Sequence, residues 1–246
     1  QSDLNQALYG RNGECPMVVI AASSPSDCFH YAFMAGKIAM EHMTPVMLLS
    51  DGFIANGSEP WKIPSMADYP AIVPPIVEPR EGEEFLPYAR NEKLARGWAF
   101  PGKAGLQHRI GGLEKDHLRG TISHDPKNHQ EMVTTRKRKV ELVAEELPEL
   151  KVFGAEEADV LVVGWGGTRG HLHSAVQQLQ EEGKSVAHLH FNYIYPMQKG
   201  VADILKRYKR IVVCELNEGQ FANYLRQQFT DVVIESYGKT EGQPFT

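Results

Sequence analysis

Hydrophobic and polar positions follow two different patterns along the 246-residue chain. Before about residue 53 and after about residue 150, short β-branched runs alternate with segments whose apolar residues recur at helical spacing. Between residues 53 and 125 this periodicity is lost, and the segment is rich in proline and glycine. The pattern predicts two α/β regions that flank a long irregular connection. A connection of this length usually carries function or forms an interface.

The first region predicts a strand, a helix and a second strand. The first strand covers Met17–Ala22, and the helix after it begins with Ser24 as its N-cap and ends near His42. The second strand covers Val46–Leu49. Because the connections are short, we expect the two strands to be parallel and joined by a crossover.

The second region begins after a helix that Asp125 caps and that runs to about Leu147, where Pro148 ends it. This places a boundary near Leu150. The predicted strands are Val160–Val163, Val186–Phe191, Ile211–Glu215 and Val232–Ser236, and they alternate with helices near 169–182, 198–209 and 218–229. The alternation predicts a doubly wound parallel sheet.

A glycine-rich turn, GWGGTRG at 164–170, follows the first strand of this sheet and opens a helix. A dinucleotide-binding fingerprint needs a third glycine where this chain has Arg169. It also needs an acidic residue at the end of the next strand, and that strand ends in Asn192. The turn therefore fits an NAD site poorly, although backbone N–H groups at a helix N-terminus still favour a phosphate or carboxylate. The candidates for such an anion site are Gly166, Gly167, Thr168 and Arg169.

Composition and charge exclude several classes of function. A net charge of -5 argues against nucleic acid as the main partner. The chain has three cysteines without paired spacing, which favours a reducing cytoplasm and excludes an iron–sulfur cluster or zinc site built from this chain's thiolates alone. No apolar run approaches the ~18 residues of a membrane span. We therefore predict a cytoplasmic protein.

Other residues of types that could bind a ligand or take part in catalysis form no recognised catalytic pattern. Asp51 and Gly52 directly follow a predicted parallel strand, where α/β proteins usually bind ligands, and they are weak candidates for cofactor binding. Arg109 is a candidate anion contact. The central histidines, at positions 108, 117, 124 and 129, match no zinc-ligand spacing, and we predict no metal site. There is no nucleophile elbow of the G-x-S-x-G type.

Several segments resemble the α subunits of the 2-oxoacid:ferredoxin oxidoreductases, and the resemblance is strongest to the 2-oxoglutarate synthase branch. The most specific segment is HRIGGLEKDHLRGTISHDPKNHQEMV, from His108 to Val133. Matching segments are SSPSDCF, TPVMLLSD, EEADVLVVGWGGTRG, LHFNYIYPMQKG, KRIVVCELNEGQFANYLR and EGQPFT. Together these segments cover nearly the whole chain in the expected order.

The resemblance implies part of a thiamine diphosphate enzyme that converts a 2-oxoacid, coenzyme A and oxidised ferredoxin into acyl-CoA, CO2 and reduced ferredoxin. It implies a partner β subunit that carries the diphosphate–Mg²⁺ site and the iron–sulfur cluster, and a second α subunit. It further implies three parts: the later part of a pyrimidine-binding-type α/β domain at 1–60, a loop-rich connection at 61–150, and a transketolase C-terminal-like α/β domain at 151–246.

The same resemblance places the catalytic residues of the α subunit upstream of the position that matches Gln1. The chain also begins with Gln1 rather than Met, which suggests a processed or partial protein. We therefore expect the chain alone to bind no cofactor and to be inactive. Two alternatives stay open at this point: a non-catalytic α/β module that binds an anion, and an NAD-dependent oxidoreductase.

Overall fold

The computed structural model describes residues 1–246. The strands are β1 (Val18–Ala21), β2 (Val46–Leu49), β3 (Val152–Phe153), β4 (Val160–Trp165), β5 (Val186–Phe191), β6 (Tyr193–Tyr195), β7 (Arg210–Glu215) and β8 (Ile234–Gly238). The α-helices are α1 (Leu4–Tyr9), α2 (Pro25–His42), α3 (Gly52–Asn56), α4 (Pro126–Glu141), α5 (Arg169–Glu181), α6 (Val201–Leu205) and α7 (Gln220–Gln228). Short 3-10 turns occupy Met66–Asp68, Leu142–Glu146 and Gly166–Thr168.

The first sheet has the order β2-β1-β6. Strand β1 is parallel to β2, with Val18 opposite Val46, which confirms the predicted parallel pair. Strand β6, from the second region of the sequence, is antiparallel to β1. The sequence pattern did not predict β6, because its three residues directly follow β5 and gain their pairing only across the fold.

The second sheet has the order β3-β5-β4-β7-β8. Strand β4 is parallel to β5 on one side and to β7 on the other, and β7 is parallel to β8. Only the two-residue edge strand β3 is antiparallel. The chain runs from the central β4 outward to β5 and then returns to β7 on the other side, as a doubly wound sheet does. The predicted parallel sheet is therefore confirmed, with one added edge strand.

Local signals explain where the longer helices begin and end. Helix α2 begins after Ser24, whose hydroxyl accepts a hydrogen bond from the backbone N–H of Asp27 at 3.4 Å. It ends at His42, and the C-cap residue Met43 has a left-handed φ of 44°. Helix α4 begins after Asp125 as predicted, but regular α-helix ends at Glu141 and a 3-10 turn takes the last positions. Helices α6 and α7 are shorter than the pattern predicted.

The two sheets share one hydrophobic core. The largest cluster has 22 buried residues, and it includes Leu4 and Val19 from the first region together with Leu161, Val163 and Phe191 from the second. Burial of this apolar surface is the main favourable contribution to folding, and here it also joins the two regions. No helix is long and apolar enough to cross a membrane.

Candidate functional site

A cleft lies where the carboxyl ends of strands from both sheets meet. Its main part has a volume of about 690 Å³, and a smaller cavity beside it extends between the ends of β1, β2 and β4. In the second sheet this is the point between β4 and β7 at which the strand order reverses, where open α/β sheets usually bind their ligands. The polar residues of the cleft and cavity include Gln1, Ser50, Asp51, Asn217 and Glu218.

Asp51 stands at the centre of this junction. Its carboxylate caps α3 by accepting a hydrogen bond from the backbone N–H of Ile54 at 2.9 Å. The other carboxylate oxygen faces Gly167, so closely that a side chain on Gly167 would collide with it. Asp51 and Gly52 thus lie directly beside the glycine turn, although the two segments are more than a hundred residues apart in sequence.

The glycine turn packs against the first sheet at the end of β1. Gly166 has a left-handed φ of 57°, which glycine adopts without the strain that a side chain would add. The position that a Cβ atom of Gly166 would take is 3.8 Å from the carbonyl oxygen of Ala22. The side chain of Thr168 is fully buried, and its hydroxyl donates to the carbonyl oxygen of Trp165 at 2.8 Å. The turn is therefore a tight link between two sheets.

Arg169, the first residue of α5, also reaches across to the first region. One terminal nitrogen of its guanidinium lies 3.6 Å from the carboxylate of Asp27 and 3.5 Å from the hydroxyl of Ser23. The Ser23 hydroxyl in turn donates to Asp27. These three side chains form a small polar network beside the cleft. Ser23 and Asp27 were not among the residues the sequence suggested, because their partner comes from a distant part of the chain.

The side chain of Gln1 lies between the ends of β4 and β7, where the strand order of the second sheet reverses. Its amide nitrogen donates to the carbonyl oxygen of Trp165, and its amide oxygen accepts from the backbone N–H of Leu216 at 2.7 Å. Its own carbonyl oxygen accepts from the side chain of Asn217 at 3.0 Å. The segment that begins with Gln1 therefore bridges the ends of β4 and β7. No sequence signal pointed to this residue.

Glu215, at the end of β7, is a fully buried carboxylate. It accepts hydrogen bonds from the indole N–H of Trp165 at 3.1 Å and from the side chain of Asn217 at 3.0 Å. The backbone N–H groups of Phe221 and Ala222, in the first turn of α7, also donate to it. Four donors satisfy the charge, so Glu215 is a structural carboxylate that fixes α7 against the sheet. Glu218, which the sequence placed in the first turn of α7, instead lies exposed just before the helix.

Asn192 takes the position where a dinucleotide-binding sheet has an acidic residue. Its side-chain nitrogen donates to the carbonyl oxygen of Ala21 at 2.8 Å, and its own carbonyl oxygen accepts from the backbone N–H of Ala21 at 2.7 Å. Asn192 thus joins the end of β5 to the end of β1. A carboxylate could not make the first of these bonds, because it has no N–H to donate.

Two histidines of β5 lie beneath the turn: His188 is buried, and both ring nitrogens of His190 are buried as well. Burial lowers the pKa of His188 to about 4, and the nearby His173 and Arg169 act in the same direction. Burial also holds the pKa of His190 well below its ordinary value, with His188 and Arg169 adding to the effect. Both rings are therefore neutral at pH 7 and serve as packing groups beneath the turn.

The remaining candidates lie away from the cleft. Arg109 is exposed in the irregular connection, makes no side-chain hydrogen bond or ion pair, and does not line the cleft. The four central histidines form no group with other residues that could hold a metal ion. His117 instead contacts Asn128, and His129 lies 2.8 Å from the Glu114 carboxylate.

The fold and the cleft define a class: a two-sheet α/β protein whose polar groups gather outside the carboxyl ends of parallel strands. Matches to two protein-family models identify the family within that class. The model described as pyruvate flavodoxin/ferredoxin oxidoreductase, thiamine diP-bdg, matches residues 1–124, and the model for pyruvate:ferredoxin oxidoreductase core domain II matches residues 158–246. The chain belongs to the pyruvate flavodoxin/ferredoxin oxidoreductase family.

Curated relatives agree with this assignment. The 2-oxoglutarate oxidoreductase subunit KorA of Mycobacterium tuberculosis is 45% identical, covering 100% of this chain and 37% of that protein. The α subunit of 2-oxoacid:ferredoxin oxidoreductase 1 of Aeropyrum pernix is 30% identical, covering 96% of this chain and 36% of that protein. The chain thus spans little more than a third of the length of these relatives.

A solved structure matches the whole fold. It is a 2-oxoglutarate:ferredoxin oxidoreductase from Magnetococcus marinus with 2-oxoglutarate, coenzyme A and succinyl-CoA bound. The two chains superpose with a TM-score of 0.92 at 29% identity, covering 100% of this chain and 43% of the other. Both sheets and the irregular connection between them therefore have counterparts in that enzyme.

Proposed function

We propose that this chain is part of the α subunit of a 2-oxoglutarate:ferredoxin oxidoreductase. In the proposed reaction the bond between C1 and C2 of 2-oxoglutarate breaks and CO2 leaves. A bond forms between C2 and the sulfur of coenzyme A, which loses its thiol proton, and two electrons pass to ferredoxin. The products are succinyl-CoA, CO2, a proton and reduced ferredoxin.

One observation carries the proposal. The chain is similar over its full length to a structure that contains 2-oxoglutarate, coenzyme A and succinyl-CoA. The identity of 45% to a 2-oxoglutarate oxidoreductase subunit supports the same substrate over pyruvate, which the names of the family models mention. The similarity to whole subunits supports this function more specifically than the α/β fold does, because the same fold serves many reactions.

The cofactor follows from the same proposal. When bound, thiamine diphosphate supplies the carbanion chemistry that a 2-oxoacid decarboxylation needs. Of the polar residues that line the cleft, Asp51 has a carboxylate oxygen that makes no hydrogen bond and could face such a cofactor, whereas the side chains of Gln1 and Asn217 are engaged within the protein. We propose that a partner β subunit holds the diphosphate, the Mg²⁺ and the iron–sulfur cluster, and that a second α subunit completes the assembly.

In this proposal, Gly166 to Arg169 position the cleft. The turn holds the ends of β4 and β1 together, Arg169 contacts Asp27, and the Asp51 carboxylate lies where a side chain of Gly167 would be. An anionic ligand at this turn would have to compete with the Asp51 carboxylate already beside it. We therefore infer that Asp51 and Arg169 are positioning residues.

The division of the chain at residues 60 and 150 and the cytoplasmic location stay predictions.

The test is an activity assay of the assembled enzyme. The full-length α subunit is co-expressed with its β subunit, and ferredoxin reduction is followed after addition of 2-oxoglutarate. We expect reduction only when both coenzyme A and thiamine diphosphate are present, with succinyl-CoA formed in proportion. An assembled complex that reduces ferredoxin with no 2-oxoacid, or not at all, would contradict the proposal.

A second measurement separates this function from the NAD-dependent alternative. Titration of the complex with NADH, followed by the fluorescence of the nicotinamide, should show no saturable binding. Tight NADH binding that depends on Gly166 and Gly167 would favour the alternative.

A further inference from the structure

A pocket with basic walls lies between the irregular connection and α4. Its cations are Arg90, Arg96, Lys115, Arg136 and Lys139, and its one carboxylate is Glu114. We call this the basic pocket. Its volume is about 650 Å³, and none of its lining residues lines the cleft at the strand ends.

The positive charge of the basic pocket is almost uncompensated. Only Arg136 has an ion pair, to Glu114 at 3.3 Å, and the Glu114 carboxylate is shared with His129. The other four cations form no ion pair. The chain as a whole has a net charge of -5, so the sign of the charge in the basic pocket is opposite to that of the chain.

Neutral groups hold the cations in fixed positions. The Lys139 ammonium donates to the carbonyl oxygen of Met43 at 2.8 Å, at the end of α2. The Arg96 guanidinium lies over the ring of Tyr88 at 3.9 Å, and its Nε donates to the carbonyl oxygen of Pro87 at 2.8 Å. The two terminal nitrogens of Arg96 make no hydrogen bond, so they are available to a ligand.

Arg90 is fixed in the same way. It donates to the carbonyl oxygens of Tyr88 at 3.1 Å and of His117 at 3.2 Å. Lys115, which is 3% exposed, donates to the carbonyl oxygens of Gly111 and Leu113. A cation held by carbonyl dipoles keeps its charge, and that charge is then free to act on a second, anionic group.

The mutual repulsion of these cations is visible at Lys139. Burial lowers the pKa of its ammonium to about 8, and the three guanidinium groups of the pocket act in the same direction. A bound anion would relieve this repulsion and restore full protonation. Guanidinium groups in particular match phosphate oxygens through two parallel hydrogen bonds.

We propose that the basic pocket binds a small ligand that bears two linked phosphates. The free edge of Arg96 and the ammonium of Lys139 face the same pocket from the connection and from α4. The pocket has room for more than a single phosphate, as a diphosphate requires. A phosphate ester of the nucleotide type fits this chemistry.

The test uses the full-length α subunit assembled with its partner and saturated with thiamine diphosphate and Mg²⁺, so that the proposed diphosphate site of the β subunit is filled. Inorganic pyrophosphate is the probe, in isothermal titration calorimetry at low ionic strength. We expect saturable binding of pyrophosphate, and about tenfold or greater weakening of Kd in both Arg96→Gln and Lys139→Gln. The matched controls are Lys137→Gln and Arg138→Gln, two exposed cations of the same helix that contact Glu141. Their Kd should equal that of the parent protein.

Two results would overturn the proposal. One is the absence of pyrophosphate binding in the millimolar range, which would mean that the charge serves no phosphate ligand. The other is equal weakening in the pocket and control variants, which would mean that only diffuse surface charge acts. The melting temperature of each variant is measured alongside. Arg96→Lys, which keeps the charge but loses the two-nitrogen fork, should bind with intermediate affinity.

A further titration identifies the source of the phosphates. If saturating coenzyme A abolishes pyrophosphate binding, the basic pocket receives the phosphates of coenzyme A. If binding persists, a separate phosphate-bearing ligand uses the pocket. Only this comparison rests on the proposed function, since the calorimetry with pyrophosphate does not depend on activity.

Discussion

Gly167 has no side chain at the point where the Asp51 carboxylate lies, and this close approach brings two distant segments together. The same carboxylate caps α3, so its position is fixed from both sides. At the scale of single residues, the junction therefore depends on a small residue in the turn and a short acidic residue after β2. Neither role is visible from the spacing of glycines alone.

A substitution at Gly167 tests this contact. In Gly167→Ala the new methyl group displaces the Asp51 carboxylate from its cap, and we expect the free energy of unfolding to fall by about 1–2 kcal/mol. Urea denaturation followed by circular dichroism measures the change.

The matched control is Gly170→Ala, in the first turn of α5. A Cβ atom there meets no other atom within 4 Å, and alanine favours a helix over glycine by about 1 kcal/mol. This variant should therefore be as stable as the parent or more so. Equal stability of Gly167→Ala and the parent would show that Asp51 does not lie against the turn.

At the scale of elements, β5 carries a buried titratable group that links stability to pH. The pKa of His188 is about 4 in the folded chain and near 6.5 when unfolded. Between these values the unfolded chain binds more protons, so the stability that is present above pH 6.5 is lost as the pH falls toward 4.

Replacement of His188 by leucine should remove the contribution of His188 to this dependence, while that of His190 remains. Between pH 7 and pH 4.5 the parent chain is expected to lose about 2–3 kcal/mol more stability than His188→Leu. Denaturation curves at both pH values measure the difference. His124→Leu, at an exposed histidine without hydrogen bonds or ion pairs, should show the parent's full pH dependence. If His188→Leu kept it as well, His188 would not be buried as a neutral ring.

The sequence predicted those elements whose signals are local. Ser24 and Pro25 mark the start of α2, and Asp125 with Pro126 marks the start of α4, because capping depends on residues a few positions apart. The runs that form β1, β2, β4 and β5 are apolar enough to be recognised as buried strands. These boundaries agree with the structure to within a residue or two.

The sequence did not predict the elements and site residues whose partners are remote. Strand β6 exists because Asn192 and Tyr193 meet β1, and Asn192 lies 171 residues from Ala21. Gln1 reaches the backbone of Leu216 across 215 residues. Within the candidate site, Asp51 and the glycine turn were named from strand ends, but their contact, and the network of Ser23 with Arg169, required the fold.

At the scale of the whole molecule, the two regions that the sequence separates share one core and one cleft. Strand β6 comes from the second region and pairs with β1 of the first. The segment that begins at Gln1 belongs to the first region and bonds to the end of β7 in the second. A cleft with one wall from each sheet can hold a cofactor and a substrate in a fixed relation. The two-sheet fold is common to the chain and to its structural relative from Magnetococcus marinus.

The most direct test of the central claim is the substrate preference of the assembled complex. The ratio kcat/KM for ferredoxin reduction is measured with 2-oxoglutarate and with pyruvate under the same conditions. A site that gives the second carboxylate of 2-oxoglutarate charged hydrogen bonds discriminates against pyruvate, which lacks that carboxylate, and on the proposed function we predict a preference of about 100-fold or more. Equal values, or a preference for pyruvate, would contradict the assignment to the 2-oxoglutarate enzymes.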